Sequence, residues 1–327
     1  MKMEFYENLS CGHLALICAV FAIFVLINFS CKAVKNTARP EITKDEQENF
    51  HITQDGVKLF VYEYIPTFDH KCTVFIISGI TGINHNREKD IIEQLSNNEN
   101  RIVAIHPRGT GYSEGKRGDI SDFSIFINDH TEIIKNDKDF NSGRHKIILY
   151  GHSMSSAIAL AVADNLENIG GVILVNPPYI LKKAKGMSPG LQQYFKYACY
   201  MIFAKHKPVV NMAGEPSLIE NEEDRKESEQ RIYDPLLVKY FSMYMMIESK
   251  KIMNSMPEYS KKAIYPLLLI YGDKDNIVDK RSCDIIFDAW KFEKKKYMII
   301  ENGTHGKTTV KLAENIINEW IADIKKE

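Results

Sequence analysis

The run Tyr150-Gly151-His152-Ser153-Met154-Ser155-Ser156 sets a serine between a strand-like segment, Lys146–Tyr150 (KIILY), and a helix-like segment of small residues. A serine hydroxyl is a weak nucleophile until a neighbouring base takes its proton. Gly-x-Ser-x-small between strand and helix is the pattern of a nucleophile elbow, a turn so sharp that the flanking positions must carry almost no side chain. Those positions are Gly151 and Ser155 here, the second a serine where glycine is usual. The pattern predicts Ser153 as an attacking hydroxyl in acyl transfer.

An elbow of this kind is followed along the chain by an acid and then a histidine. Of ten histidines only His305 lies after residue 206. It sits in Glu301-Asn302-Gly303-Thr304-His305-Gly306, just past the apolar run Lys296–Ile300, and is the expected base. The acid is expected on the loop after Pro266–Tyr271, where Asp273, Asp275 and Asp279 are available. Asp275 is placed best, beyond the glycine turn and before Ile277 and Val278 return the chain to the core. Asp273 is then free to cap the turn, and Asp279 to cap the helix that follows. Asp275 would fix the tautomer of His305 and stabilise the imidazolium as Ser153 gives up its proton. An oxyanion hole needs the N–H of the residue after the nucleophile, Met154, and a second donor from an earlier loop. Ser78-Gly79-Ile80-Thr81-Gly82 follows a strand-like run, and Ile80 is the expected second donor.

Other chemistries find less support. Gly109-Thr110-Gly111-Tyr112-Ser113-Glu114-Gly115 approaches a dinucleotide loop, but its third glycine comes one residue late. No HExxH and no paired Cys/His spacing marks a metal site, so neither a metal nor a cofactor is expected.

These residues need a scaffold, and the chain supplies one. Val57–Tyr64 alternates as a half-exposed edge strand would. Thr73–Ser78, Ile102–His106, Lys146–Tyr150, Gly171–Val175, Pro266–Tyr271 and Lys296–Ile300 are nearly continuous apolar runs, as in strands buried on both faces. A mostly parallel sheet flanked by helices follows, an α/β class. Phe123–Ile134 has helical spacing, and His130 within it reads as a packed histidine rather than a ligand. Between Val175 and Pro266 about 90 residues intervene where a crossover needs about a dozen. This insert is rich in aromatics and methionine around an acidic middle, Glu220–Glu229, which reads as a solvated face or loop. It is expected to form a helical cap at 179–263, over a core at 41–178 and 264–327, near the strand ends where ligands bind in open α/β sheets.

The N-terminus is a separate unit, residues 1–40. No Asp, Glu, Lys or Arg lies between Glu7 and Lys32, and the apolar stretch at 9–31 just reaches the length that spans a bilayer, as a membrane anchor or an export signal segment. Lys32, Lys35 and Arg39 follow it, which favours an uncleaved anchor with its C-terminal domain cytoplasmic. Lipid attachment at Cys31 is the alternative, and a plain buried helix the third reading. Cys72, Cys199 and Cys283, scattered through the remainder, form no disulfide framework. Across all 327 residues, 42 Lys and Arg balance 43 Asp and Glu, so no general field favours a nucleic-acid partner. Membrane attachment would rest on apolar residues, not on a basic surface.

Several motifs in order carry a family likeness. His106-Pro107-Arg108-Gly109-Thr110-Gly111-Tyr112-Ser113-Glu114-Gly115, Ser121-Asp122-Phe123, Gly151-His152-Ser153-Met154, Tyr233-Asp234-Pro235-Leu236, Gly272-Asp273-Lys274-Asp275 and Gly303-Thr304-His305 are the segments concerned. Over residues 50–325 the chain resembles the monoacylglycerol lipase and lysophospholipase branch of the α/β-hydrolases, of the serine aminopeptidase type. The resemblance implies a triad of Ser153, Asp275 and His305, with Ile80 and Met154 as oxyanion donors. The chain departs from the family at Ser78-Gly79, where His-Gly is usual, and at Ser155-Ser156, where Gly-Gly is usual. The expected activity is hydrolysis of a fatty acyl ester beside a membrane, through an acyl-serine intermediate. A small-ester esterase or aminopeptidase on the same residues is the rival within enzymes. A catalytically inert, membrane-tethered binding protein is the rival outside them.

Overall fold

A computed structural model describes residues 49–97, 99–182, 191–212, 216–219 and 221–326, together with Ala19, Asn36 and 38–41. Apart from Ala19, the apolar stretch at 9–31, Cys31 included, lies outside the described residues. Among the described residues no helix is long and apolar enough to cross a membrane.

In chain order the first half runs β1 (Phe50–Ile52), β2 (Lys58–Tyr64), β3 (Cys72–Ile76), α1 (Lys89–Ser96), β4 (Arg101–Ile105), α2 (Ser124–Asn136), α3 (Lys138–Ser142), β5 (Lys146–His152), α4 (Met154–Ala163) and β6 (Gly171–Val175). The long insert carries α5 (Leu191–Phe203), β7 (Val210–Asn211), α6 (Glu222–Tyr233), β8 (Tyr240–Phe241), α7 (Met243–Asn254) and α8 (Met256–Lys262). The chain closes with β9 (Leu267–Gly272), α9 (Lys280–Ala289), β10 (Lys295–Ile300), α10 (Lys307–Leu312) and α11 (Glu314–Lys325).

The main sheet has the order β1-β2-β4-β3-β5-β6-β9-β10. β1 and β2 pair antiparallel, as do β2 and β4; every later pair is parallel. The apolar runs are continuous because successive side chains feed opposite faces, and both faces are covered. Phe75, Val103, Leu149, Leu174 and Leu269 pack with α2, α4 and α9 on one side. Val74, Ile102, Ile148, Ile173 and Ile270 pack with α1, α10 and α11 on the other. This is the mostly parallel α/β sandwich expected.

The insert is not uniform. Met245 of α7 and Ile252 and Met256, at the junction of α7 and α8, join the same apolar cluster as α4. By contrast α6, which holds most of the acidic run, buries no residue. The insert docks on the loops after β3 and β4: Val238 N–H donates to Thr81 O at 2.9 Å and Gly111 N–H to Leu236 O at 2.8 Å. Asp234 accepts from Asn84 Nδ2 at 2.6 Å and pairs with Arg87 at 3.1 Å. His130 is buried, its Nδ1 2.7 Å from Phe126 O, one turn back in the same helix.

Candidate active site

β3, β5, β6 and β9 are successive neighbours in the sheet and β10 follows, so the loops after them share one edge. Ser153 occupies the turn from β5 into α4 with φ 54° and ψ −128°, a conformation that side-chain-bearing residues adopt only at a cost. Gly151 allows that turn, since a Cβ there would lie 2.7 Å from Ser155 O and 2.8 Å from Ser156 Cα. The hydroxyl is thereby presented at the start of the helix rather than folded into it.

His305 Nε2 lies 2.8 Å from Ser153 Oγ, and His305 Nδ1 lies 2.7 Å from Asp275 Oδ2. The second oxygen of Asp275 accepts from the N–H groups of Ile277 at 2.7 Å and Val278 at 2.8 Å. The Asp275 carboxylate is thus fully used and almost wholly buried. Burial alone would raise its pKa, but the hydrogen bond and charge of His305 and the two backbone donors outweigh this and hold it below the ordinary carboxylate value. Asp273 and Asp279 stand outside this chain of contacts. Asp279 caps α9, accepting from Arg281 N–H at 3.0 Å. The acid loop is pinned from the insert side by Lys182, whose ammonium donates to Asp275 O and whose N–H donates to Ile277 O at 2.8 Å.

The two departures at the elbow are absorbed by hydrogen bonds. Ser155 Oγ accepts from His152 N–H and donates to His152 O, both at 2.8 Å. Ser156 Oγ donates to Gly151 O at 2.9 Å. Each hydroxyl is buried and has a partner, so neither carries the cost of an unmade hydrogen bond.

The loop after β3 lies against the elbow, since a Cβ on Gly79 would stand 3.8 Å from Ser155 N and 3.9 Å from Met154 Cβ. Ser78, in place of the usual histidine, donates its hydroxyl to Ile105 O at 2.7 Å and so ties this loop to the end of β4. Met154 is the first residue of α4, and the first N–H groups of a helix have no acceptor within it. Ile80 follows Gly79 and is buried beside the elbow.

Two further residues, neither of them a predicted site residue, hold the site. His152 Nε2 lies 2.7 Å from His305 O, and the two rings are 5.5 Å apart. Burial, followed by the charge of His305, pushes His152 down to about 3, so it stays neutral and donates to that carbonyl. Asn176, at the end of β6, is fully buried with φ 47°. Its Nδ2 donates to Thr304 O at 3.0 Å and its Oδ1 accepts from Gly272 N–H at 2.9 Å. One side chain therefore joins the base loop to the acid loop. The signal in the sequence was Asn176-Pro177-Pro178 directly after an apolar strand, since asparagine is among the few side chains that tolerate positive φ.

The rim is polar. α6 passes over the base loop: the Asp224 carboxylate lies where any side chain on Gly306 would have to go, and accepts from Thr308 Oγ1 at 3.2 Å. Arg231 of the same helix lies 3.9 Å from Glu88 and 3.7 Å from Glu227. Burial, then the charge of Glu88, raises the Glu227 pKa. The inner side is apolar, with Met154 and Tyr179 packed against the core cluster.

Comparison with known proteins fits this geometry. Residues 69–309 match the family described as serine aminopeptidase, S33. The monoglyceride lipase of Homo sapiens is 25% identical over 263 residues, 78% of this chain and 82% of that protein. A monoacylglycerol lipase of Mycolicibacterium smegmatis is 22% identical over 280 residues, 81% of this chain and 93% of its own. Among solved structures, a soluble variant of monoglyceride lipase from Saccharomyces cerevisiae, in complex with a substrate analog, superimposes with a TM-score of 0.70 at 17% identity. It covers 91% of this chain and 98% of that one. The monoacylglycerol lipase of Paleococcus ferrophilus gives 0.65 at 19% identity, over 82% and 98%. These likenesses share the sheet and the helices that flank it, and the chain belongs to the serine aminopeptidase S33 family of α/β-hydrolases.

Proposed function

We propose that this protein is a serine hydrolase that cleaves a fatty acyl ester, of monoacylglycerol or lysophospholipid type, through an acyl-Ser153 intermediate. The observation that carries the proposal is the 2.8 Å approach of His305 Nε2 to the hydroxyl of Ser153, in a strained turn that leaves that hydroxyl facing the base. The names of the relatives support the acyl-glycerol class.

In this reading His305 takes the Ser153 proton as Oγ attacks the ester carbonyl. Backbone N–H groups of Ile80 and Met154 receive the charge that develops on the carbonyl oxygen. The tetrahedral species collapses, His305 returns the proton to the departing alcohol, and the acyl group stays on Ser153. Water, deprotonated by His305, then releases the fatty acid. Asp275 holds the imidazole in the tautomer with hydrogen on Nδ1. The apolar side, with Met154 and Tyr179, suits an acyl chain, and the polar rim of Glu88, Glu227 and Arg231 suits a hydroxylated head group. The apolar N-terminal stretch would hold the enzyme at a membrane, as an uncleaved anchor with this domain cytoplasmic; acylation of Cys31 is the alternative means. No step requires a metal or a cofactor.

A fluorophosphonate probe should label the wild type and leave Ser153→Ala unlabelled, and monoacylglycerol turnover should vanish in the same variant. Equal labelling of both proteins would overturn the assignment. An aminopeptidase reading draws on the acidic rim, where Glu88, Glu227 and Asp224 could face a substrate ammonium. It predicts faster turnover of aminoacyl amides than of long-chain monoacylglycerols, the reverse of the ordering expected here.

A further inference from the structure

We propose that His70, His145 and Asp139 form a site for one divalent transition-metal cation of the zinc class, at the edge of the sheet opposite Ser153. The three residues are far apart in sequence, but the sheet brings them together. β3 and β5 are parallel neighbours in the register Cys72↔Lys146, with Lys146 N–H donating to Lys71 O at 2.9 Å. His70 and His145 stand just before those paired positions, so the register places their rings side by side, with centroids 4.8 Å apart. Asp139, in the first turn of α3, lies between them.

Each ring turns one nitrogen to a different carboxylate oxygen, and His145 Nδ1 also lies 3.2 Å from the Ser142 hydroxyl, which a bound cation would displace. His70 Nε2 is 2.8 Å from Asp139 Oδ2, and His145 Nδ1 is 3.5 Å from Oδ1. One ligand atom from each residue falls within a group no wider than 4.8 Å. Oδ2 also accepts from Thr73 Oγ1 at 2.6 Å and from Arg101 Nη1 at 2.9 Å. Oδ1 makes no hydrogen bond among the described residues, so the carboxylate is oriented by one oxygen and keeps the other for a ligand. Carboxylates so fixed by a surrounding shell are what first-sphere ligands require.

Charge favours a dication at this place. Arg101 is paired with Glu63 at 2.8 Å, Asp137 at 2.8 Å and Asp139 at 2.9 Å. One guanidinium thus faces three carboxylates, which leaves this ion-pair cluster two negative charges in excess, while Lys135, Arg144 and Lys146 line the adjoining groove. Two imidazoles and one carboxylate suit zinc, which takes three protein ligands and a water, whereas calcium and magnesium prefer oxygen alone. Access is open, through a surface groove lined by Asn141, Arg144, His145 and Asn168. The cation would tie the loop before β3, the turn of α3 and the start of β5. β5 has seven residues, so the site stands about 23 Å from Ser153 at ~3.3 Å per residue and would act on stability rather than on the chemistry.

The test uses the untagged full chain, stripped with chelator and titrated with Zn²⁺ against a chromophoric zinc indicator. One Zn²⁺ per chain is expected, with a rise in thermal midpoint, and Co²⁺ in its place should give the visible absorption of a tetrahedral site. His70→Gln and His145→Gln should each weaken binding by more than the roughly 10–100-fold typical of losing an outer-sphere contact. Both should keep wild-type probe labelling of Ser153. Zinc binding unchanged in the protein carrying both His70→Gln and His145→Gln, or absent from the wild type, overturns the proposal. Should the variants not fold, Zn²⁺ must shield His70 and His145 of the wild type from diethyl pyrocarbonate. Equal modification of both with and without Zn²⁺ overturns it as well.

Discussion

Ser155 and His152 are joined by a closed pair of hydrogen bonds: the Ser155 hydroxyl receives the His152 N–H and returns its own proton to the His152 carbonyl, each at 2.8 Å. A residue that departs from the family pattern has become a clasp across the elbow. Ser153 lies inside that clasp, in backbone that would otherwise relax. Ser155→Ala leaves a buried N–H and carbonyl without the hydroxyl, a loss of about 1–3 kcal/mol for each group left unsatisfied. Ser155→Gly adds backbone freedom to that loss. Both variants should show a lower urea midpoint than the wild type. An unchanged midpoint in Ser155→Ala would show that the clasp contributes nothing.

The depressed His152 imidazole makes a prediction about acid. In the fold its pKa is about 3, against an ordinary value near 6.5. Between those two values the unfolded chain binds a proton there that the folded chain does not, so stability falls as pH falls through this window. The slope is about 1.4 kcal/mol per pH unit for one such group. The Asp275 carboxyl, also below its ordinary value, acts at lower pH: its contribution is present above about pH 4 and is lost as pH falls through its folded value. His152→Gln keeps a donor for His305 O but cannot titrate. The difference between wild-type and His152→Gln unfolding free energies, measured from pH 7 to 4, should shrink on one side only, the wild type losing more. Parallel profiles would refute the assignment.

What could be read in advance divides along physical lines. The interior strands were legible because both faces are covered, which makes residues 147–150 and Gly171–Val175 buried, nearly continuous apolar runs. β1 was not, because Phe50–Ile52 is too short to show a period. That Ser153, Asp275 and His305 come together was legible because each follows a strand whose end lies on one edge of the sheet. Methionine and aromatics in the insert showed that its helices have apolar faces, but not that Met245 and Ile252 would meet α4. Hydropathy records that a surface is buried and is silent about its partner. Asn176 carries a faint local signal in the prolines that follow it, but its partners Gly272 and Thr304, like the meeting of His70 and His145 beside Asp139 of α3, depend on strand order and register, which join residues that no local pattern relates.

Asn176 yields a prediction of that register-dependent kind. Its amide spans Gly272 N–H and Thr304 O, so the separation between Asp275 and His305 depends on it. Asn176→Ala unpairs both groups. Asn176→Asp is expected to be worse, because a carboxylate oxygen would face the Thr304 carbonyl where an N–H now points. Misplacement of a catalytic group by about 1 Å can cost on the order of 100-fold in rate. kcat should therefore fall by about 10–100-fold in either variant with KM little changed. A purely structural role would instead lower the amount of active enzyme, as titrated with the fluorophosphonate probe, and leave kcat per labelled site untouched.

Asp275→Asn gives the sharpest test of how the base is held. The N–H groups of Ile277 and Val278 both point at Oδ1, so an asparagine there must keep its oxygen at that position. Its NH₂ then replaces Oδ2, 2.7 Å from His305 Nδ1, and a donor now meets that nitrogen. His305 can accept only with its proton moved to Nε2, where it faces Ser153 Oγ and can no longer take the hydroxyl proton. The charge that would stabilise the imidazolium is lost as well. A tautomer error of this kind lowers kcat by about 10⁴-fold in a serine triad. The variant should keep its far-ultraviolet dichroism and its two backbone contacts, and should label with fluorophosphonate far more slowly. Activity should partly return at high pH, where solvent hydroxide assists removal of the serine proton. Undiminished turnover in Asp275→Asn would exclude Asp275 as the residue that orients His305, whatever the distance between them.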